Sequence, residues 1–255
     1  MQEILNYNRE LIGLKPVTLY TINPEYYYSK LPNSIKDILI NKKYEVLNCG
    51  PKTEKIMINR SAIFYTGGLE STISSVTHDG KATFYYVENL SRFCHSKGIE
   101  IVESFLMAIT NLLDCGIAVI GSEYTPEDES IGKLYEFSNF FVESFSNYLG
   151  ITTFMPVRWI DKFHLFVEAT RRGFKFKSCD SDPPCKECFK CFQVATFNRA
   201  IGIEDTVKES FKVMLNIFMD QHNCYLQSKK DSFYGDNYSF TQIGKTLEDI
   251  WEDVC

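Results

Sequence analysis

No stretch of about 18 apolar residues occurs in this chain, so no membrane-spanning helix is expected. The start, Met1 to Asn6, lacks the basic run and apolar centre of a secretory leader, which predicts a cytoplasmic protein. The four histidines are scattered, and no Ser-His-Asp pattern suggests a hydrolase. No Gly-Lys-Ser/Thr signature occurs at Walker spacing, and no internal repeat is found. Basic residues are not in excess: 27 Lys and Arg stand against 33 Asp and Glu, giving a net charge of −6 and a pI near 5.4. Broad electrostatic attachment to nucleic acid is therefore not expected, although a local basic groove stays open.

What is present is an ordinary globular composition. The 255 residues are 44% hydrophobic and 24% charged, enough for a substantial core. Nine cysteines, four of them clustered, fit a reduced protein with a metal site better than a disulfide scaffold.

Two stretches carry chemistry. In the first, Ala62-Ile63-Phe64-Tyr65 reads as a short buried strand that Thr66-Gly67-Gly68 breaks. Leu69-Glu70-Ser71-Thr72-Ile73 then resumes with helical character, to about Val76. A strand running through two glycines into a helix start is suited to holding phosphate. The glycines let backbone N–H groups turn inward, and the helix N-terminus adds donors and a positive dipole end. The bland alternative is an ordinary strand-turn-helix corner.

In the second stretch, Cys179, Cys185, Cys188 and Cys191 are spaced C-x5-C-x2-C-x2-C. Two residues between thiolates let neighbouring sulfurs reach one tetrahedral ion at about 2.3 Å. Zinc (Zn²⁺) is the first expectation and an iron–sulfur cluster the alternative. Cys49, Cys94, Cys115, Cys224 and Cys255 read as plain core or surface residues, and His164 as an ordinary histidine.

Elsewhere, strands are expected at Val17–Ile22, Lys55–Asn59, Ala82–Val87, Ile117–Gly121 and Ile151–Pro156. Helices are expected at Pro32–Asn41, across Ile101–Leu113, at Gly132–Tyr148, from Asp161 to about Ala169, at Val194–Cys224 and at Thr241–Val254. Tyr26-Tyr27-Tyr28 reads as a packing patch, and Glu123–Glu129 as a solvated loop. Strands alternating with helices predict an α/β protein with a doubly wound parallel sheet and a helical, zinc-binding C-terminal part. The expected divisions are an N-terminal extension over 1–60, a nucleotide-binding domain over 61–175 and the cysteine part over 176–255. Ligands of such sheets bind beyond the strands' carboxyl ends, where Thr66–Ser71 and Gly121 would sit.

The run Thr66-Gly67-Gly68-Leu69-Glu70-Ser71 resembles the Ser-Gly-Gly-x-Asp-Ser loop of the PP-loop ATPases, with Thr for Ser and Glu for Asp. With the later cysteine cluster, the chain resembles 7-cyano-7-deazaguanine synthases from about Ile63 to Gly202. Ile120-Gly121-Ser122, Glu136-Phe137 and Pro156-Val157-Arg158-Trp159-Ile160-Asp161-Lys162 are similar to smaller motifs of that family. The resemblance implies an ATP- and Mg²⁺-dependent ligase that adenylates a deazapurine carboxylate, 7-carboxy-7-deazaguanine or a relative. Ammonia or another amine, a protein acceptor included, then displaces AMP. It implies that Thr66, Gly67, Gly68, Leu69, Ser71, Thr72 and Gly121 hold ATP. It also implies that Glu70, Ser71 and Lys162 serve catalysis, that Glu136 and Phe137 lie by the substrate, and that the zinc site orders the pocket.

The chain departs from that family in three places. Glu70 replaces Asp, Val87 to Ile117 is too short for a helix-strand-helix passage, and 60 residues precede the loop strand. One sheet element is thus expected to be absent or shortened, and the chain to be a divergent relative. Relatives outside tRNA modification, antiviral defence included, are the setting this suggests. The rival readings are a tRNA-modifying PP-loop enzyme and a degenerate nucleotide- or partner-binding module. The acceptor and the oligomeric state, a homodimer included, stay open.

Overall fold

The computed structural model describes residues 1–41, 60–77, 82–121, 133–158, 160, 162–179, 184–203, 245–246 and 249. The chain divides into two compact units, one of residues 1–122 and 136–158, the other of residues 123–135 and 159–255.

In the first unit, β1 (Leu19–Ile22), β2 (Ser61–Phe64), β3 (Ala82–Val87), β4 (Ile117–Ile120) and β5 (Thr152–Phe154) form one sheet. The order is β1-β3-β2-β4-β5, and every neighbouring pair is parallel. The expected α/β class and parallel sheet are therefore observed. The helices here are α1 (Gln2–Leu11), α2 (Pro24–Lys30), α3 (Asn33–Asn41), α4 (Leu69–Thr77), α5 (Leu90–Ser96), α6 (Val102–Leu112) and most of α7 (Lys133–Leu149). In the second unit, α8 (Lys162–Arg172) and α9 (Phe189–Ala200) are described.

The central strands β2 and β4 are buried on both faces, which is why they read as unbroken apolar runs. Side chains alternate along a strand, so β2 sends Ala62 and Phe64 into one core and Ile63 and Tyr65 into the other. Ala118 and Ile120 join the first core, with Phe105, Ile109, Phe141 and Phe145; Val119 joins the second, with Leu5 and Phe84. Of the tyrosine triplet, Tyr27 and Tyr28 pack against the core, Tyr28 at 5.8 Å from Phe93 and 6.3 Å from Phe105, centroid to centroid, while Tyr26 is exposed.

The short passage from β3 to β4 contains α5 and α6 and no strand, as its length requires. The place outside β3 is nevertheless filled, because β1 pairs there in parallel, Leu19 opposite Phe84 and Ile22 opposite Val87. Residues 1–41 are therefore part of this unit and not an extension of it. α1 holds the incoming strand with side chains that act as a ladder partner. Gln2 Nε2 donates to the Val17 carbonyl at 2.7 Å, and Gln2 Oε1 accepts from Leu19 N–H at 2.7 Å. Asn6 Oδ1 accepts from Val17 N–H at 3.0 Å.

The boundary expected at 175 falls instead after Arg158. α8 belongs with the cysteines because its Phe163 and Phe166 pack on Phe197 of α9, at 5.3 and 5.4 Å. The helix expected over 194–224 begins earlier, at Phe189, and ends at Ala200, where Ile201 caps it and Gly202 turns at φ +80°. The strand expected at 55–59, the loop at 123–129 and residues 204–224 lie outside the described residues. Of the helix expected at 241–254, residues 245, 246 and 249 are described, and they are helical.

Replacing Gln2 with Ala strands two backbone groups of the edge strand. Stability should fall by about 1–3 kcal/mol in urea unfolding; an unchanged midpoint would mean that residues 1–22 are not integral to the sheet.

Candidate functional site

The glycine loop lies in the first unit and the cysteine cluster in the second.

Thr66 to Ser71 follows β2 directly, at the carboxyl end of the sheet. β2 lies between β3 and β4, where chain order along the sheet reverses, the usual ligand position in doubly wound sheets. Gly67 has φ +79°, a left-handed conformation that favours glycine. Gly68 is crowded differently: a Cβ there would stand 3.3 Å from Glu70 Oε2 and 3.4 Å from Thr66 Oγ1. The Glu70 carboxylate, one methylene longer than Asp, thus folds back over the loop.

Hydroxyls brace the turn. Thr66 N–H donates to Ser71 Oγ at 3.1 Å, and the two hydroxyl oxygens are 2.9 Å apart. Gly68 N–H donates to Thr66 Oγ1 at 3.3 Å, and Ser71 Oγ donates to the Gly68 carbonyl at 3.2 Å. A phosphoryl oxygen bound here would exchange hydrogen bonds with these hydroxyls instead of finding bare donors. Thr66 is exposed, Gly68 and Glu70 are half-buried, and Gly67, Leu69, Ser71 and Thr72 are buried. Thr72 points into the protein, beside the Tyr65 phenol. Burial pushes that phenol up to about 12, with Thr72 opposing the rise, so Tyr65 stays neutral near pH 7.

Gly121 sits at the end of β4, and its value is space. A Cβ on it would lie 2.7 Å from Ser71 N and 2.9 Å from the Glu70 carbonyl carbon. It lets the first turn of α4 close against β4, a role that resemblance to a nucleotide-binding turn did not reveal. Glu136 and Phe137 lie on α7, whose side chains are described from Phe141 onward. Lys162 is the first residue of α8, in the cysteine-bearing unit.

In that unit the four sulfurs of Cys179, Cys185, Cys188 and Cys191 lie within 4.8 Å of one another. Individual separations are 3.4 Å for Cys179–Cys185, 3.6 Å for Cys179–Cys188 and 3.9 Å for Cys185–Cys191. A tetrahedron with bonds of about 2.3 Å has edges of about 3.8 Å, so these separations fit a single ion such as zinc. An iron–sulfur cube fits less well, since each thiolate there binds a different iron.

The backbone supports thiolates as well. Glu187 N–H donates to Cys185 Sγ at 3.5 Å, with Lys186 held at φ +58° to turn it inward. Cys191 N–H faces Cys188 Sγ, and Lys186 N–H faces Cys191 Sγ. The cysteine spacing predicted the cluster; it gave no sign of these donors or of the left-handed Lys186. Cys94 and Cys115 are buried in the core of the first unit, as expected of core residues.

No family model matches the chain, no curated protein matches it, and no solved structure matches it. Among the described residues no helix is long and apolar enough to cross a membrane.

Burial pushes the Cys188 thiol up, and the Cys191 thiol up to about 12, so an entering cation must displace protons. One tetrahedral ion per chain is expected by metal analysis, with affinity rising with pH and falling toward acid. Cys191→Ala should abolish the thiolate–cobalt absorption of cobalt-loaded protein. A brown iron–sulfur chromophore would contradict the single-ion assignment.

Proposed function

We propose that this chain is an ATP-dependent, AMP-forming ligase of the PP-loop kind that activates the carboxylate of a deazapurine for amide formation. The supporting observation is the loop itself. A left-handed Gly67 and a crowded Gly68 join a central parallel strand to a helix whose first turn closes against Gly121 at the strand-order reversal.

Backbone N–H groups of Gly67 and Gly68 and the amino end of α4 would bind the phosphates of ATP, with Thr66 and Ser71 hydroxyls completing the shell. The substrate carboxylate oxygen attacks the α-phosphorus, and the bond to pyrophosphate breaks. An amine then attacks the acyl carbon, AMP leaves, and the amine's proton passes to solvent. Charge accumulates on departing pyrophosphate, where the loop's aligned donors would act most strongly. Glu70 would position Mg²⁺, which would supply charge neutralisation on the phosphates. Glu136 and Phe137 would contact the deazapurine. The cysteine centre would hold zinc in a structural role, with all four positions taken by protein.

The test is incubation with Mg-ATP, ammonium and 7-carboxy-7-deazaguanine, with products followed by mass spectrometry. One AMP is expected per amide formed, and two per nitrile, since the nitrile requires a second round of activation. Ser71→Ala should lower kcat/KM for ATP by about 100-fold with zinc content unchanged. If neither AMP nor product forms in folded, metal-loaded protein, the ligase reading of this substrate fails. Binding of ATP without pyrophosphate release would favour a non-catalytic binding module.

A further inference from the structure

α4 carries one charged residue, Glu70, and it is negative. A polyphosphate approaching the amino end of this helix therefore meets a carboxylate, in a chain of net charge −6. The cation tied to the helix comes from the opposite end. Arg9, in the last turn of α1, is only 8% exposed. Its Nη1 donates to the Ser75 carbonyl in the last turn of α4 at 3.0 Å. Its Nε donates to the Lys15 carbonyl at 2.9 Å, and its guanidinium carbon lies 4.9 Å from the centre of the Phe84 ring.

We infer that Arg9 is a positioning residue of the phosphate loop, acting on it through α4. This rests on the loop being a phosphate site. Two effects follow from its placement. First, α4 is fixed at both ends, by the Gly121 contact at its first turn and by Arg9 at its last, so the loop's donors keep their aim. Second, a buried cation at the carboxyl end offsets the negative pole of the helix and raises the potential at the amino end. A helix of nine residues spans about 14 Å, a distance over which a charge in protein surroundings still acts on a multiply charged ligand. The N-terminal segment thus supplies both an edge strand and the loop helix's rear support.

The experiment measures binding of ATP, AMP and adenosine to the full-length protein and to the Arg9→Lys and Arg9→Gln variants, by calorimetry at two salt concentrations. Circular dichroism and metal content establish that each variant is folded. Arg9→Gln should weaken ATP roughly tenfold, AMP less and adenosine hardly at all, because the effect scales with ligand charge. Arg9→Lys keeps the charge with fewer donors, and should hold ATP within about threefold while lowering thermal stability. Equal losses for Gln and Lys, or equal losses for ATP and adenosine, would overturn the inference and reduce Arg9 to a packing residue. Unaltered protein that binds none of the three contradicts the loop reading itself, an outcome distinct from both.

Discussion

The first unit turns on a contact with no room for a side chain. Where β4 ends, Gly121 lies against the backbone of Glu70 and Ser71, and any Cβ would overlap the first turn of α4. That closeness brings a helix amino end up to the ends of two central strands. The rest of the unit serves it: two apolar layers hold the sheet, and hydroxyls of Thr66 and Ser71 hold the turn. The loop binds its own donors with its own hydroxyls, so it is braced before any ligand arrives. Pre-ordering of this kind limits the entropy lost on binding, at the expense of the hydrogen bonds a ligand must replace.

The cysteine centre depends on a different balance. Four thiolates a few ångströms apart repel one another, and burial favours their neutral form. A divalent cation reverses that preference, and backbone N–H groups turned toward the sulfurs share the charge. Lys186 in its left-handed turn makes one of these groups available between Cys185 and Cys188. A metal ion held by the four sulfurs would tie Cys179 and Cys185 to Cys188 and Cys191 at the start of α9.

Much of this was legible in the sequence where the signal is local. A glycine pair between an apolar strand and a helix, and cysteines two residues apart, announce themselves through backbone and ligand geometry alone. The central strands β2 and β4 were readable because burial on both faces leaves continuous apolar runs. The place of β1 was not, because its pairing with β3 joins segments some sixty residues apart, Leu19 with Phe84. Gly121 was visible as part of a turn, but its closeness to Ser71 is a tertiary fact. Residues 1–60 read as an extension, and nothing in the sequence singles out Arg9. Its importance arises only once α1 and α4 are packed side by side.

The account centres on adenylation, which can be separated from the identity of the amine. The most direct measurement is exchange of labelled pyrophosphate into ATP, with 7-carboxy-7-deazaguanine and a panel of related carboxylates and no amine added. The account predicts exchange that requires a deazapurine carboxylate and is lost in Ser71→Ala. Absence of exchange with every carboxylate, in protein that is folded and holds its metal, would contradict it.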